Sequence, residues 1–565
     1  MLTPAAAQQL TVEVDSAGML QTKLTDDKKF TMSELKVVGP LNNTDFKLLR
    51  QIANRTKTKK DNDVLLEELD LSEAYIVDGK GMMRSREGRL PDGCFSGCKS
   101  LLAVTLPEST REIGRSCFSG CTGLKEMVVP DSVALIAEMA FYGCSAITTL
   151  QLPQQLETIG SNAFQGCSAL TRVDIPSTVK TIDNGAFGKC TNLESIQMEA
   201  HVTAIANSCF EGCERLATFK VPTTVATIGN NAFKGCRNLA EVDFPDMLKE
   251  MGNSAFENCQ SLSTVKIASV GRLGNEAFKG CTSLTEATIG GIARMGHSCF
   301  RQCTSLEKAA IEGPTATLGS STFAECSSLS SVSLSKSIKT IDDNSFYDCK
   351  SLKAIDLPQA LTKIGDHVFE NCSSLKKILV PNLVKQIGHD TFEGCLTLDS
   401  VNIVGFIERI EDDLFRYCHS LKDVKLPVTV RVVGDNAFEQ CTSLKQITLP
   451  ISVTTIGDNA FEKCVSLSAI IIPPSCTNIG SSAFRECTNM FRVELSSAMK
   501  KVGGNAFAKC TSLREVVMSS SVPPSISSST FKGLPITCRY LVPRGAKNAY
   551  RQNKTWNKLA LLVEQ

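Results

Sequence analysis

Cysteine, histidine and carboxylate are the residues of this sequence that could do chemistry, and their spacing decides which chemistry. There are 25 cysteines and 5 histidines in 565 residues. Pairs four apart, such as Cys94 and Cys98, approach the spacing of a zinc site, but no histidine or second cysteine pair is expected nearby to complete four ligands. An odd number of cysteines excludes complete pairing within one chain. His367 and His389 stand in adjacent rungs, one register apart, with Asp366 and Asp390 beside them, which would place two imidazoles and two carboxylates in neighbouring turns. Asp343, Asp366, Asp412, Asp435 and Asp458 form an acidic row in the same phase. The plainer account of both is turn chemistry, because other copies carry Asn230, Asn253 or Ser481 there and Asp and Asn cap helical turns. Phosphate-loop, serine-hydrolase and zinc-protease motifs are absent from the sequence. No cofactor or metal is expected, and catalytic residues are expected to be none.

The cysteines belong to a larger pattern. Of 26 phenylalanines, twenty recur from Phe95 to Phe531 at steps of 23 residues, apart from two steps of 22 and a last one of 24. Nineteen cysteines, from Cys98 to Cys510, lie three residues after such a Phe. Four more, Cys94, Cys117, Cys209 and Cys299, replace the usual Ala just before it, and only Cys476 and Cys538 fall outside both positions. Such regularity predicts buried cysteine acting as a small hydrophobe.

One unit, from Cys441, reads C-T-S-L-K-Q-I-T-L-P-I-S-V-T-T-I-G-D-N-A-F-E-K. Leu444, Ile447 and Leu449 have the spacing of a strand, Pro450 ends it, and Val453 with Ile456 supply a second apolar segment. Gly457 allows a turn, Asp458 or Asn459 is expected to cap a short helical turn, and Ala460, Phe461 and Cys464 face inward. Phe346 is expected inside and Tyr347 outside. A lone unit cannot bury its apolar face, so the units must stack. Length alone suggests several domains; the repeat predicts one continuous solenoid of about twenty rungs.

The unit resembles the 23-residue leucine-rich repeat of the BspA-like family, C-x-S-L-x-x-I-x-L-P-x-S-V-x-x-I-G-x-x-A-F-x-x, over about residues 90–535. The resemblance implies an α/β repeat fold, with parallel strands on one face and short strands and turns behind. It also covers the ends. Residues 9–89 resemble the N-terminal α/β cap of secreted Bacteroidetes members, with strands at Leu10–Val14 and Ser33–Val38, a helix at Asp45–Asn54 and a degenerate first rung at Leu66, Leu69 and Leu71. Residues 536–565 resemble their closing strand and helix, with Trp556, Leu559 and Leu562 over the last rung. Residues 1–8 read as a leader remnant or added segment, since no basic and apolar signal sequence precedes the cap. The resemblance implies an extracellular or surface location; cytoplasmic is the alternative.

Charge narrows the partners. A net charge of +1 argues against a general binder of nucleic acid or anionic membrane, and no apolar run is long enough to span a bilayer. Regular repetition also argues against an active site, which needs unlike groups at one place. What remains is surface. One outward position per rung, between the last two strand apolars, includes Gln151, Asp174, Gln197, Lys220, Asp243 and Lys266, and later Leu379, Ile471 and Val517. This varied row without aromatics fits a protein or peptide ligand better than a sugar. The resemblance implies adhesion to host matrix proteins, host cells or other bacteria. A glycan ligand, or a spacer without a ligand, is the alternative. Two departures stand out: the rungs from Leu262 and Leu284 each lack one residue and the proline, and residues 77–89 form a basic, glycine-bearing insertion.

Overall fold

The computed structural model describes residues 9–25, 28–55, 64–80, 85–246, 248–559 and 561–565. The first eight residues, and residues 81–84 of the basic insertion, lie outside the described residues. Internal contacts divide the chain into two compact units, residues 1–284 and 285–565. Each is a solenoid of short parallel strands and turns.

The first unit begins with strand Gln9–Glu13, paired in parallel with Glu34–Leu41. That strand pairs with Glu68–Asp70, and the ladder continues to Ala103–Thr105 and Glu126–Val128. The helix Asn43–Ala53 starts two residues earlier than its apolar pattern suggests, because Asn42 is its cap. Asp45 returns the cap: its buried carboxylate accepts from the amides of Asn42, Gly18 and Leu20 at 2.9, 2.6 and 3.0 Å. Phe46 of this helix meets Phe95 edge-on at 6.0 Å. From Phe95 to Phe278 the rings stack in sequence with centroids 4.9–5.9 Å apart.

The second unit repeats the ladder from Phe300 to Phe531 at 5.0–5.8 Å. Its closing strands, Ala469–Ile471, Arg492–Leu495, Glu515–Met518, Arg539–Val542 and Leu562–Glu564, pair in that order. Helix Lys547–Gln552 lies in the chain between the last two of these strands. Trp556 is fully buried beneath it and donates from Nε1 to Pro524 O at 2.8 Å. Leu562 is also buried, whereas Leu559 is half-exposed.

Three local features differ from the expected unit. The segment before Phe is a run of turns rather than a helical turn, and its residue two before Phe takes positive φ, as at Asn459 (φ 53). Asp458 therefore caps no helix. Its Oδ1 accepts from the Ser481 amide at 2.6 Å, while its own amide donates to Asp435 Oδ1 at 2.7 Å, so the side chains tie neighbouring rungs. The asparagines of the first unit do the same, Asn253 N to Asn230 Oδ1 at 2.7 Å. Second, the two rungs that are one residue short fuse their two strands into one of ten residues, Thr264–Leu273 in the first unit and Glu286–Met295 in the second, whereas full-length rungs without the proline, such as that with Glu199, keep two strands. Third, residues 352–357 and 444–450 form no strand, yet the rings on either side remain stacked.

The cysteine ladder is buried, and it also hydrogen-bonds. Cys121 Sγ donates to Phe95 O at 3.0 Å, Cys144 to Phe118 O at 3.0 Å and Cys464 to Phe438 O at 3.1 Å. The thiol is thus a second donor to a carbonyl of the preceding rung that already accepts from a backbone amide, as Phe95 O does from Cys98 N at 3.1 Å. Burial pushes these thiols far above the ordinary range, as at Cys121, up to about 12.

Candidate functional site

The strand face of the first unit presents the row Gln151, Asp174, Gln197, Lys220, Asp243 and Lys266, all six exposed. Their neighbours in each strand, such as Val173, Phe219, Val242 and Val265, are buried, and the two-residue alternation turns the row to solvent. Asp174 lies opposite Gln197, and Lys220 opposite Asp243. Arg172 links the first pair, 3.0 Å from Asp174 Oδ1 and 3.2 Å from Gln197 Oε1. Two open depressions lie along the row. One of about 690 Å³ is lined by Gln151, Asp174, Arg172, Glu126 and Val128. Another of about 480 Å³ is lined by Gln197, Lys220, Glu199 and His201. Asp243 and Lys266 line neither. Val517, at the same register in the second unit, is buried rather than outward.

The second unit carries an apolar surface of which the strand row includes only Leu379 and Ile471. Val428 and Ile451 are each 79% exposed, Ile471 71% and Phe406 64%, with Leu379, Leu383 and Val404 also exposed. Val428 and Ile451 occupy the position just after the strand-ending proline, which in the first unit is Glu108, Asp131, Gln154 or Thr223. That switch from polar to aliphatic at one register was available in the sequence. It stays hidden because exposed residues do not contribute to the repeat.

His367 and His389 do not converge on one point. His367 Nδ1 lies 2.7 Å from Glu370 Oε2 and 3.8 Å from Asp390 Oδ2. His389 faces Glu411 and Asp412, each at 3.9 Å. Cys117 and Cys121 stand in the rung after Cys94 and Cys98. Even so, among the described residues no group of three or more His, Cys, Asp or Glu is arranged to hold a metal ion.

Around His367 the carboxylates crowd. Burial, the neighbouring Asp390 and Glu370 push Glu393 up to about 8, against the pull of Arg416. Burial likewise raises Glu370 and Asp413. The fold favours protonated Glu393. Its stabilising contribution is complete below the ordinary carboxylate range and is lost as pH rises towards 8. Glu393→Gln is therefore expected to flatten the fall in melting temperature between pH 5 and pH 9. Thermal melts across that range check it, and parallel profiles for the two proteins would refute it.

Comparison with known proteins follows the same lines. A family model described as the BspA type leucine rich repeat region matches residues 88–217, 203–315, 293–422 and 408–537. No curated protein matches the chain. Among solved structures, a leucine-rich repeat protein from Bacteroides ovatus is 28% identical, with a TM-score of 0.56, over 66% of this chain and 97% of that one. A leucine rich cell surface protein from Faecalibacterium prausnitzii is 22% identical, with a TM-score of 0.34, over 62% of this chain and 88% of that one.

Proposed function

The chain belongs to the BspA-type leucine-rich repeat family, and from that premise we propose that it is a non-catalytic binding protein, an adhesin-like scaffold at the cell surface or secreted. Its ligand in this reading is a protein or peptide of the host matrix, a host cell or another bacterium. Residues 9–89 and 536–565 serve as caps, and residues 90–535 carry the binding surface. The observation that supports the reading is the exposed strand row, whose unlike side chains, Gln151, Asp174, Gln197 and Lys220, line two adjoining depressions. A long face of varied residues on a rigid ladder is what repeat proteins offer to extended partners. No helix among the described residues is long and apolar enough to cross a membrane.

The apolar surface supports a second docking region on the same protein. Exposed apolar patches of this kind mark interaction sites.

Pull-down against host matrix proteins, with a glycan array in parallel, identifies the ligand class. Combined charge reversal at Lys220, Asp243 and Lys266 is then expected to weaken binding by tenfold or more, on the order of 1.4 kcal/mol or above. Unaltered affinity would move the site off the row. If Val428→Asp with Ile451→Asp abolishes binding instead, the partner sits on the second unit. Glycan binding without protein binding would overturn the protein-ligand reading.

A further inference from the structure

We infer that Cys94 and Cys117 close a disulfide when the chain folds in a thiol-oxidising environment, stapling its first two full rungs. Of the four cysteines that replace Ala before the ladder Phe, at 94, 117, 209 and 299, only Cys94 and Cys117 stand in successive rungs. Their Sγ atoms are 3.1 Å apart and both side chains are buried. The other ladder position behaves differently. There Cys121 and Cys144 each point at a backbone carbonyl of the preceding rung.

The backbone already holds the pair in register. Gly93 N donates to Arg115 O and Phe95 N to Cys117 O, both at 2.8 Å, and the Phe95 and Phe118 rings stack at 5.3 Å. A rung separation of ~4.8 Å lies within the Cα range of natural disulfides, ~4.4–6.8 Å. Closing the sulfurs to ~2.05 Å needs side-chain rotation and a small approach of the two Cβ atoms. Burial and the neighbouring Cys94 raise the Cys117 thiol, so the sealed pair reacts slowly. Oxidation belongs to folding, or to local opening of the first rungs.

The oxidant is a small-molecule disulfide of the glutathione type. One cysteine thiolate attacks it, forming a mixed disulfide and releasing one glutathione thiolate. The second cysteine thiolate attacks the protein sulfur of the mixed disulfide and releases the other. One sulfur–sulfur bond is broken and one remains formed in the protein. Two electrons pass from the cysteine pair to glutathione, and the two thiol protons end on the released glutathiones.

The test refolds the full-length reduced protein in a buffer of reduced and oxidised glutathione. After acid quenching and alkylation, digestion and mass spectrometry map the cross-links. The expected result is a predominant peptide pair joined through Cys94 and Cys117, lighter than its parts by two hydrogens. It disappears in Cys94→Ala, which installs the residue already present at Ala140 and Ala163 and therefore spares the fold. It persists in Cys209→Ala. Alkylation of both thiols in refolded wild type overturns the proposal, as does a scatter of cross-links along the ladder without preference for this pair.

Discussion

Phe346→Ala is expected to destabilise the second unit by about 3–5 kcal/mol. Phe346 is fully buried, and its ring stacks on Phe323 at 5.5 Å and on Phe369 at 5.3 Å. Its amide donates to Val368 O at 2.9 Å and its carbonyl receives Cys372 Sγ at 3.3 Å. Those backbone bonds hold the rungs apart, so the neighbouring rings cannot close over the space left by the side chain, and the cavity cost adds to the lost burial. Residues 352–357 form no strand, but Leu352, Ile355 and Leu357 are buried there. Tyr347, one residue along, is half-buried rather than fully outward. Its truncation is expected to cost about 1 kcal/mol, within the usual range for partly exposed sites. Urea midpoints of the two variants check the register, and equal losses would refute it.

Gly457→Ala is the second large effect, expected at about 1–3 kcal/mol from overpacking plus about 1 kcal/mol from a lost hydrogen bond. A Cβ at 457 would lie 2.7 Å from both Asp435 N and Gly434 C. These are backbone atoms of the preceding rung and cannot rotate away. The Cβ also meets Asp435 Oδ1, the acceptor for the Asp458 amide. Gly143 provides the control. Its φ is +70 but nothing lies within 4 Å of an added Cβ, and other rungs place Asn258 or Asn371 at that position. Gly143→Asn should therefore leave the melting temperature nearly unchanged. A Gly457→Ala protein as stable as Gly143→Asn would show that the rungs can slide apart at little cost.

The inward register was legible because it is written in every unit: Phe, Cys and Leu recur wherever the core demands the same volume. The tie between rungs was not. Asp458 looks like a helix cap when one unit is considered, and becomes an acceptor for Ser481 only once a second unit supplies the same amide one rung ahead. Cys464 likewise reads as core volume, while its bond to Phe438 O depends on the neighbouring backbone. The missing residue in the rungs from Leu262 and Leu284 was visible, but its result, a single ten-residue strand, was not, since rungs that lack only the proline keep two strands. The surface was least legible. Gln151 and Lys220 sit where alternation places them, whereas Phe406, Val428 and Ile451 escape a pattern built on buried positions. Neither set carries chemistry specific enough to name a ligand from residue type alone.

The ties between rungs also bear on how such a gene can change length. The Cys464 thiol reaches back 26 residues to Phe438, and the Asp458 amide 23 residues to Asp435. Each tie ends on the adjacent rung. Excising residues 441–463 would join Gln440 to Cys464 and hand every severed donor an equivalent acceptor. The rung ending at Phe278 is one residue short and still keeps both ties, Asn275 N to Asn253 Oδ1 at 2.9 Å and Cys281 Sγ to Phe256 O at 3.3 Å, by dropping its residue between the strands. Gain or loss of one whole unit is therefore the change in gene length that leaves the ladder of ties in register.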